Sequence, residues 1–243
     1  MMRRAVWCAL AILVLTPALA SAQELSLSLG DGGSISARTI QLILLITVLS
    51  LAPGLAIMVT CFPFLVTVLA ILRQGIGLQQ SPPNMLIVSL ALFLTYFIME
   101  PVFTQAWDTG IRPMVEETLA VEPALERAMV PFREFMAARL DGDTFRAMAA
   151  LRPDTASMEL SPEAPLSVLM PSFMLSEVAR AFQIGFLIFL PFLIIDLVVA
   201  AVLMSMGMMM VPPATVSLPF KLAFFVIADG WSLIASALVR SYS

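Results

Sequence analysis

Long uncharged apolar runs alternate with short polar breaks along most of the chain. Residues 40–72 pass without a single charge, a stretch longer than the ~20 residues that one straight membrane span needs. Pro53-Gly54 and Pro63 interrupt the run. The pattern predicts a broken helix, or one helix followed by a second packed inside protein. Arg73 ends the run, and Gln79-Gln80-Ser81-Pro82-Pro83-Asn84 reads as a polar turn, because proline cannot continue a helix and restricts the residue before it. Residues 85–99 form the return helix, closed by Glu100-Pro101. Residues 40–104 are therefore a first apolar helical hairpin.

Residues 105–170 differ in kind. Six Arg and eleven acidic residues fall between Asp108 and Glu163. Leu125, Met129, Phe132, Phe135, Met136 and Leu140 recur at helical spacing, which predicts an amphipathic helix with Pro123 near its start and a kink at Pro131. Arg152-Pro153-Asp154 and Ser161-Pro162-Glu163-Ala164-Pro165 read as loop, so this segment is a soluble, mostly helical insert. Residues 171–243 return to apolar character, turn at Pro212-Pro213, and form a second hairpin. Both hairpins turn at a Pro-Pro pair, but their flanks do not otherwise match, so they share topology without being a repeat. The acidic insert suits the outer side of a membrane and Arg73 a cytoplasmic end.

The opening has the pattern of a secretory signal peptide. Arg3 and Arg4 precede an apolar core from Val6 to Leu15 and the small-residue site Ala20-Ser21-Ala22. Residues 1–22 are expected to be removed, leaving Gln23 first. Residues 23–39 follow as an extracytoplasmic arm, with alternating Leu25, Leu27 and Leu29 and a joint at Gly30-Asp31-Gly32-Gly33.

Composition fixes the class. The chain of 243 residues is 60% hydrophobic and 12% charged, against roughly 45–50% and 25% in soluble domains, which makes it an all-α membrane protein. It has no His, and so lacks the commonest general base and neutral-nitrogen metal ligand. Cys8 falls in the segment to be removed, which leaves Cys61 alone and excludes a disulfide framework or a Cys-rich metal site. No catalytic residue, metal, cofactor or nucleic-acid partner is expected.

Three charges sit inside apolar segments: Asp196, Lys221 and Asp229. Each costs ~2.5–3.5 kcal/mol at a helix centre in lipid, so all three should face protein or a wet cavity. Counted from the turn near Pro213, Asp196 and Lys221 are offset by ~13 Å along the helix axis. That offset disfavours pairing within one chain and points to a neighbouring subunit. Asp196 and Asp229 fall at similar depth, which admits a proton relay or an acid-protease dyad, although Ala228-Asp229-Gly230-Trp231 lacks the Gly-x-Gly-Asp context of such proteases. Met204, Met206, Met208, Met209 and Met210 crowd around Gly207. They read either as ordinary apolar packing or as a surface that deforms and reseals.

Taken together, Leu72-Arg73-Gln74, Gly77-Leu78 with the Pro82-Pro83 turn, Phe93-Leu94-Thr95-Tyr96-Phe97-Ile98-Met99, Ala181-Phe182-Gln183-Ile184-Gly185-Phe186, Asp196-Leu197-Val198, the Met204 to Met210 run, Ser217-Leu218-Pro219-Phe220-Lys221 and Asp229-Gly230-Trp231 resemble the FliP family of flagellar biosynthesis proteins, whose relatives also serve virulence injectisomes. The resemblance covers about residues 49–238. It implies a pore-forming subunit of a type III protein export gate in the bacterial inner membrane, at the flagellar basal body. There the chain would form a ring with copies of itself, a pentamer by resemblance, together with FliQ-like and FliR-like subunits and other membrane proteins of the export apparatus. The hairpins would build a cone raised toward the periplasm, through which unfolded flagellar subunits pass.

With the resemblance added to the pattern, Met206, Met208, Met209 and Met210 would seal the pore, and Asp196, Lys221, Asp229, Glu177 and Arg180 would be buried or inter-subunit charges. Gln79, Gln80, Pro82 and Pro83 would make one hairpin turn and Pro212 and Pro213 the other. Two positions depart from the family pattern: Phe64 stands where relatives usually have Arg, and Ala179 where they usually have Lys. The readings from other classes are a proton-coupled transporter or ion channel built on the three charges, and an intramembrane protease. A cleavable leader and a long insert resemble flagellar members more than injectisome ones.

Overall fold

The computed structural model describes residues 35–78, 81–208 and 210–242. The signal peptide, most of the arm, and Gln79, Gln80 and Met209 lie outside the described residues. Among the described residues all regular structure is helical: α1 (Ile35–Met58), α2 (Phe62–Ile76), α3 (Asn84–Ala106), a π-helical turn (Trp107–Ile111), α4 (Arg112–Val115), α5 (Val121–Arg139), α6 (Gly142–Ala149), α7 (Leu166–Ser205), α8 (Pro213–Ile227) and α9 (Gly230–Arg240). Three helices are long and apolar enough to cross a membrane, and α8 with α9, bent by 61°, make a fourth such segment if counted as one. The chain is an all-α membrane protein.

The chain divides into two units, residues 1–50 and 51–243. In the first, α1 begins at Ile35, inside the stretch read as an arm, and its side chains from Thr39 to Ser50 are exposed. Pro53 lies inside α1.

In the second unit the apolar run breaks at residues 59–61, immediately before α2. Pro63 sits in the first turn of α2, where a missing N–H has no intrahelical partner to lose. Helix α2, only 15 residues long, is the most enclosed of the apolar helices. Phe64, Leu65, Val68 and Leu72 of α2 are wholly buried, together with Ile87, Ala91 and Met99 of α3, Ala181 and Phe192 of α7, and Phe225 of α8. Helix α7 runs parallel to α2, because Gly185 lies against Ile71 while Gly75 lies against Phe189 and Phe192. A Cβ at Gly185 would fall 2.4 Å from Ile71 Cδ1. The missing side chain therefore sets how closely these two helices approach.

Helix α3 does not close at Glu100-Pro101 but continues to Ala106 and into the π-helical turn. A proline removes only its own bond to the preceding turn, and the residues on either side keep the helix going. Gly110 in that turn touches the backbone of α5, where a Cβ would come within 2.5 Å of the Ala124 carbonyl oxygen and 2.6 Å of the Ala128 nitrogen. So close an approach demands small residues. The buried positions of α5 are Ala124, Ala128, Pro131 and Met136, whereas Leu125, expected on the inner face, is exposed. The insert has its own core of Met136, Leu140, Phe145, Ala149, Val168, Leu169 and Phe173, which Val59 joins. The first turns of α7 thus belong to the insert, and the helix starts at Leu166, before the apolar run itself.

Candidate functional site

Lys221 is the only lysine in the sequence, and it is buried at the junction of the two hairpins. Its Nζ lies 2.6 Å from Asp196 Oδ2 and donates to the Gly75 carbonyl at 3.1 Å, while Ser217 Oγ donates to Asp196 Oδ1 at 2.5 Å. The pair expected between neighbouring subunits therefore closes inside one chain. The correction has a simple cause. Helix α7 ends at Ser205 and α8 starts at Pro213, so residues 206–212 add no helical rise. Measured from the true helix ends, Asp196 is nine residues back and Lys221 eight forward, ~13 Å against ~12 Å at 1.5 Å per residue.

Asp229 behaves differently. It stands at the break between α8 and α9 with φ +47°, is exposed, and lines a groove with Ser81, Pro82 and Trp231 to which Asp196 does not contribute. The two aspartates do not form a dyad: one carboxylate is held by Lys221 and Ser217, and the other lines that groove.

A second buried charge cluster joins the insert to the C-terminus. Glu177 of α7 is fully enclosed by its own chain, not turned toward a neighbour, because two elements converge on it. Arg139, the last residue of α5, brings Nε to 3.4 Å from Glu177 Oε1, and the Tyr242 hydroxyl donates to Glu177 Oε2. The Arg139 guanidinium lies 3.9 Å from the centre of the Tyr242 ring and donates through Nη1 to the Ser241 carbonyl at 2.7 Å. Burial, then the nearby Glu177 carboxylate, holds the Tyr242 phenol protonated, well above its ordinary range. Sequence reasoning missed Arg139 and Tyr242. The only signal for them was an arginine at the end of an amphipathic helix and a tyrosine beyond the last apolar segment. Phe64, the departure from the family pattern, is wholly buried and meets Tyr242 edge-on with ring centres 5.5 Å apart. Arg180 is half-buried and donates to the Arg139 carbonyl at 3.4 Å, and Ala179 is exposed.

Met204 lies in the last turn of α7, while Met206, Met208 and Met210 lie between α7 and α8. Gly207, at φ +75°, ends α7: its N–H bonds the Met204 carbonyl at 3.1 Å and the Met208 N–H reaches the Leu203 carbonyl at 3.0 Å. This paired pattern of C-terminal bonds depends on a residue in the left-handed region, which glycine adopts without strain. Met206, Met208 and Met210 are exposed, Met210 at 98%. Pro212 and Pro213 then open α8 as its N-cap and first residue. At the other turn, Pro83 caps α3, while Arg73 Nη1 donates to Asn84 Oδ1 and, at 3.4 Å, to the Pro82 carbonyl. Outside these polar knots the hairpins present broad apolar faces, with Phe93, Phe97, Phe182, Phe186, Leu197 and Phe220 all exposed. Among the described residues no group of His, Cys, Asp and Glu could hold a metal.

Sequence relatives match this arrangement over nearly its whole length. The FliP family model matches residues 45–238. Flagellar biosynthetic protein FliP of Caulobacter vibrioides is 51% identical over 93% of this chain and 85% of its own length. The protein of the same name from Agrobacterium fabrum is 43% identical over 96% of this chain and 97% of its own, and that from Bacillus subtilis 46% over 84% and 92%. With an apolar helical scaffold, internally neutralised charges and both proline turns inside the matched region, the chain belongs to the FliP family.

Proposed function

We propose that the chain is a pore-forming subunit of the flagellar type III protein export gate, one wall element of a channel through which unfolded flagellar subunits pass. The observation that carries this reading is α7. Its 40 residues extend ~60 Å at 1.5 Å per residue, twice the ~30 Å hydrocarbon core of a bilayer. Yet Leu175, Phe182, Phe186, Ile194, Leu197 and Val202 are exposed along its length. The exposed apolar residues alone span Leu175 to Val202, ~40 Å at 1.5 Å per residue, which is longer than the ~30 Å hydrocarbon core and leaves apolar surface for other protein to cover. Copies of this chain with FliQ-like and FliR-like subunits supply that cover. A pentameric ring raised toward the periplasm from the inner membrane, in contact with other membrane proteins of the export apparatus, accommodates such a length.

The exposed loop carrying Met206, Met208 and Met210 fits the seal of that channel, since unbranched thioethers repack more easily than β-branched side chains. Met209 lies outside the described residues and shares the role through its place in the run. The chain is not an enzyme. A proton relay through Asp196 is disfavoured by its engagement with Lys221 and Ser217, and the three relatives compared above are named for flagellar biosynthesis. In a strain lacking this chain, secretion of rod and hook subunits should stop, and an affinity-tagged copy that restores it should co-purify with further copies and with different membrane subunits. Restored secretion by a chain that purifies alone would contradict the proposal.

A further inference from the structure

The groove at Asp229 is distinct from the methionine loop and from both buried charge clusters. It encloses about 410 Å³ between the first hairpin turn and the α8–α9 bend, and is lined chiefly by Ile76, Leu78, Leu222, Phe225, Val226 and Trp231. Its volume is in the range of small-molecule sites, whereas a whole helix is ~10–12 Å across and could insert only a side chain or two. Asp229 stands at its rim, and no ion pair or side-chain hydrogen bond engages that carboxylate among the described residues. A carboxylate within an apolar segment pairs or faces a wet cavity, and two cations of this chain are already engaged. Its one lysine is held by Asp196, and Arg73 across the turn is held by Asn84 and Pro82.

Two further features set the level of the groove. Ser81 and Pro82 belong to the polar turn where the first hairpin ends, and Trp231, packed edge-on against Phe225 with centres 5.4 Å apart, is partly exposed. Tryptophan concentrates at membrane headgroups, and an indole face attracts an ammonium group. We propose that this groove binds a phospholipid with an ammonium headgroup, of the phosphatidylethanolamine class, with an acyl chain along the Leu222, Phe225 and Val226 wall and the ammonium against Asp229 and Trp231. This inference rests on the proposed function, in which the first hairpin turn lies at the cytoplasmic face of the membrane.

The test uses the intact complex with its native partners in nanodiscs, with Trp107→Phe, and subtracts the emission of the same complex carrying Trp231→Phe so that the difference reports Trp231. Bromine is placed on the acyl chains of phosphatidylethanolamine in one sample and of phosphatidylglycerol in the other, at equal fractions. Brominated phosphatidylethanolamine should quench Trp231 several-fold more strongly, and Asp229→Asn should remove the difference. Equal quenching by the two lipids in the otherwise unmodified complex overturns the proposal without recourse to the variant. Absence of quenching by either lipid also overturns it, and would mean that a protein neighbour fills the groove.

Discussion

Lys221 and Asp196 are bonded at 2.6 Å within one chain, and the lysine also holds the Gly75 carbonyl at the end of α2. One ammonium therefore fastens the return arm of the second hairpin both to its outgoing arm and to the first hairpin. Removing one member of a fully buried pair costs ~3–5 kcal/mol, and because the Asp196 side chain is 31% exposed the loss here falls at the low end, ~3 kcal/mol. Lys221→Met should lower the stability of the purified complex by about that amount, and the double variant with Asp196→Leu by less than the sum of the two single losses. Thermal unfolding of the four proteins reads this coupling, and additive losses would contradict it.

The Glu177 cluster ties the C-terminus to the insert. Tyr242→Phe keeps the ring against Phe64 and Arg139 and removes only the hydroxyl bond to a buried carboxylate. A hydrogen bond to a charged group contributes ~1.5–3 kcal/mol, so the variant should unfold at lower temperature and release its C-terminus to carboxypeptidase sooner than the parent.

Gly110 has no room for a side chain against α5. Gly110→Ala should cost ~1–3 kcal/mol, as overpacking does, and loosen the insert to limited proteolysis. Asp108→Ala, two positions away and exposed, should change little.

Much of this was legible in the residues. The charge-free runs, the Pro-Pro turns and the change of composition at Asp108 locate the two hairpins and the insert, because burial in lipid or in protein leaves the same apolar signature. That equivalence is also where reading fails: no pattern tells that α2, with its wholly buried Phe64 and Leu72, is the centre of the fold while the equally apolar α7 faces outward. Counting helical rise from Pro213 separates Asp196 from Lys221, because the break around Gly207 that ends α7 at Ser205 has no signature in the apolar pattern. Periodicity places Leu125 inward, and the tight contact at Gly110 turns Ala124 and Ala128 inward instead. Arg139 and Tyr242 are brought to Glu177 over long sequence separations, which spacing does not encode.

If the methionine loop seals the channel, replacing Met208, Met209 and Met210 together by Ala should raise ion conductance through the assembled complex in planar bilayers while leaving its composition intact. Secretion should fall only modestly. Unchanged conductance would return these residues to ordinary packing.

The contact that matters most is between this loop and a chain in transit. A photoreactive amino acid placed at Met208, in cells where a flagellar subunit fused to a stably folded domain stalls during export, should yield a covalent adduct between this chain and the stalled subunit. The same group at Leu125, exposed on the insert, should yield none. Assembled, export-competent complexes that give no adduct at position 208 would contradict the placement of this chain in the wall of the channel.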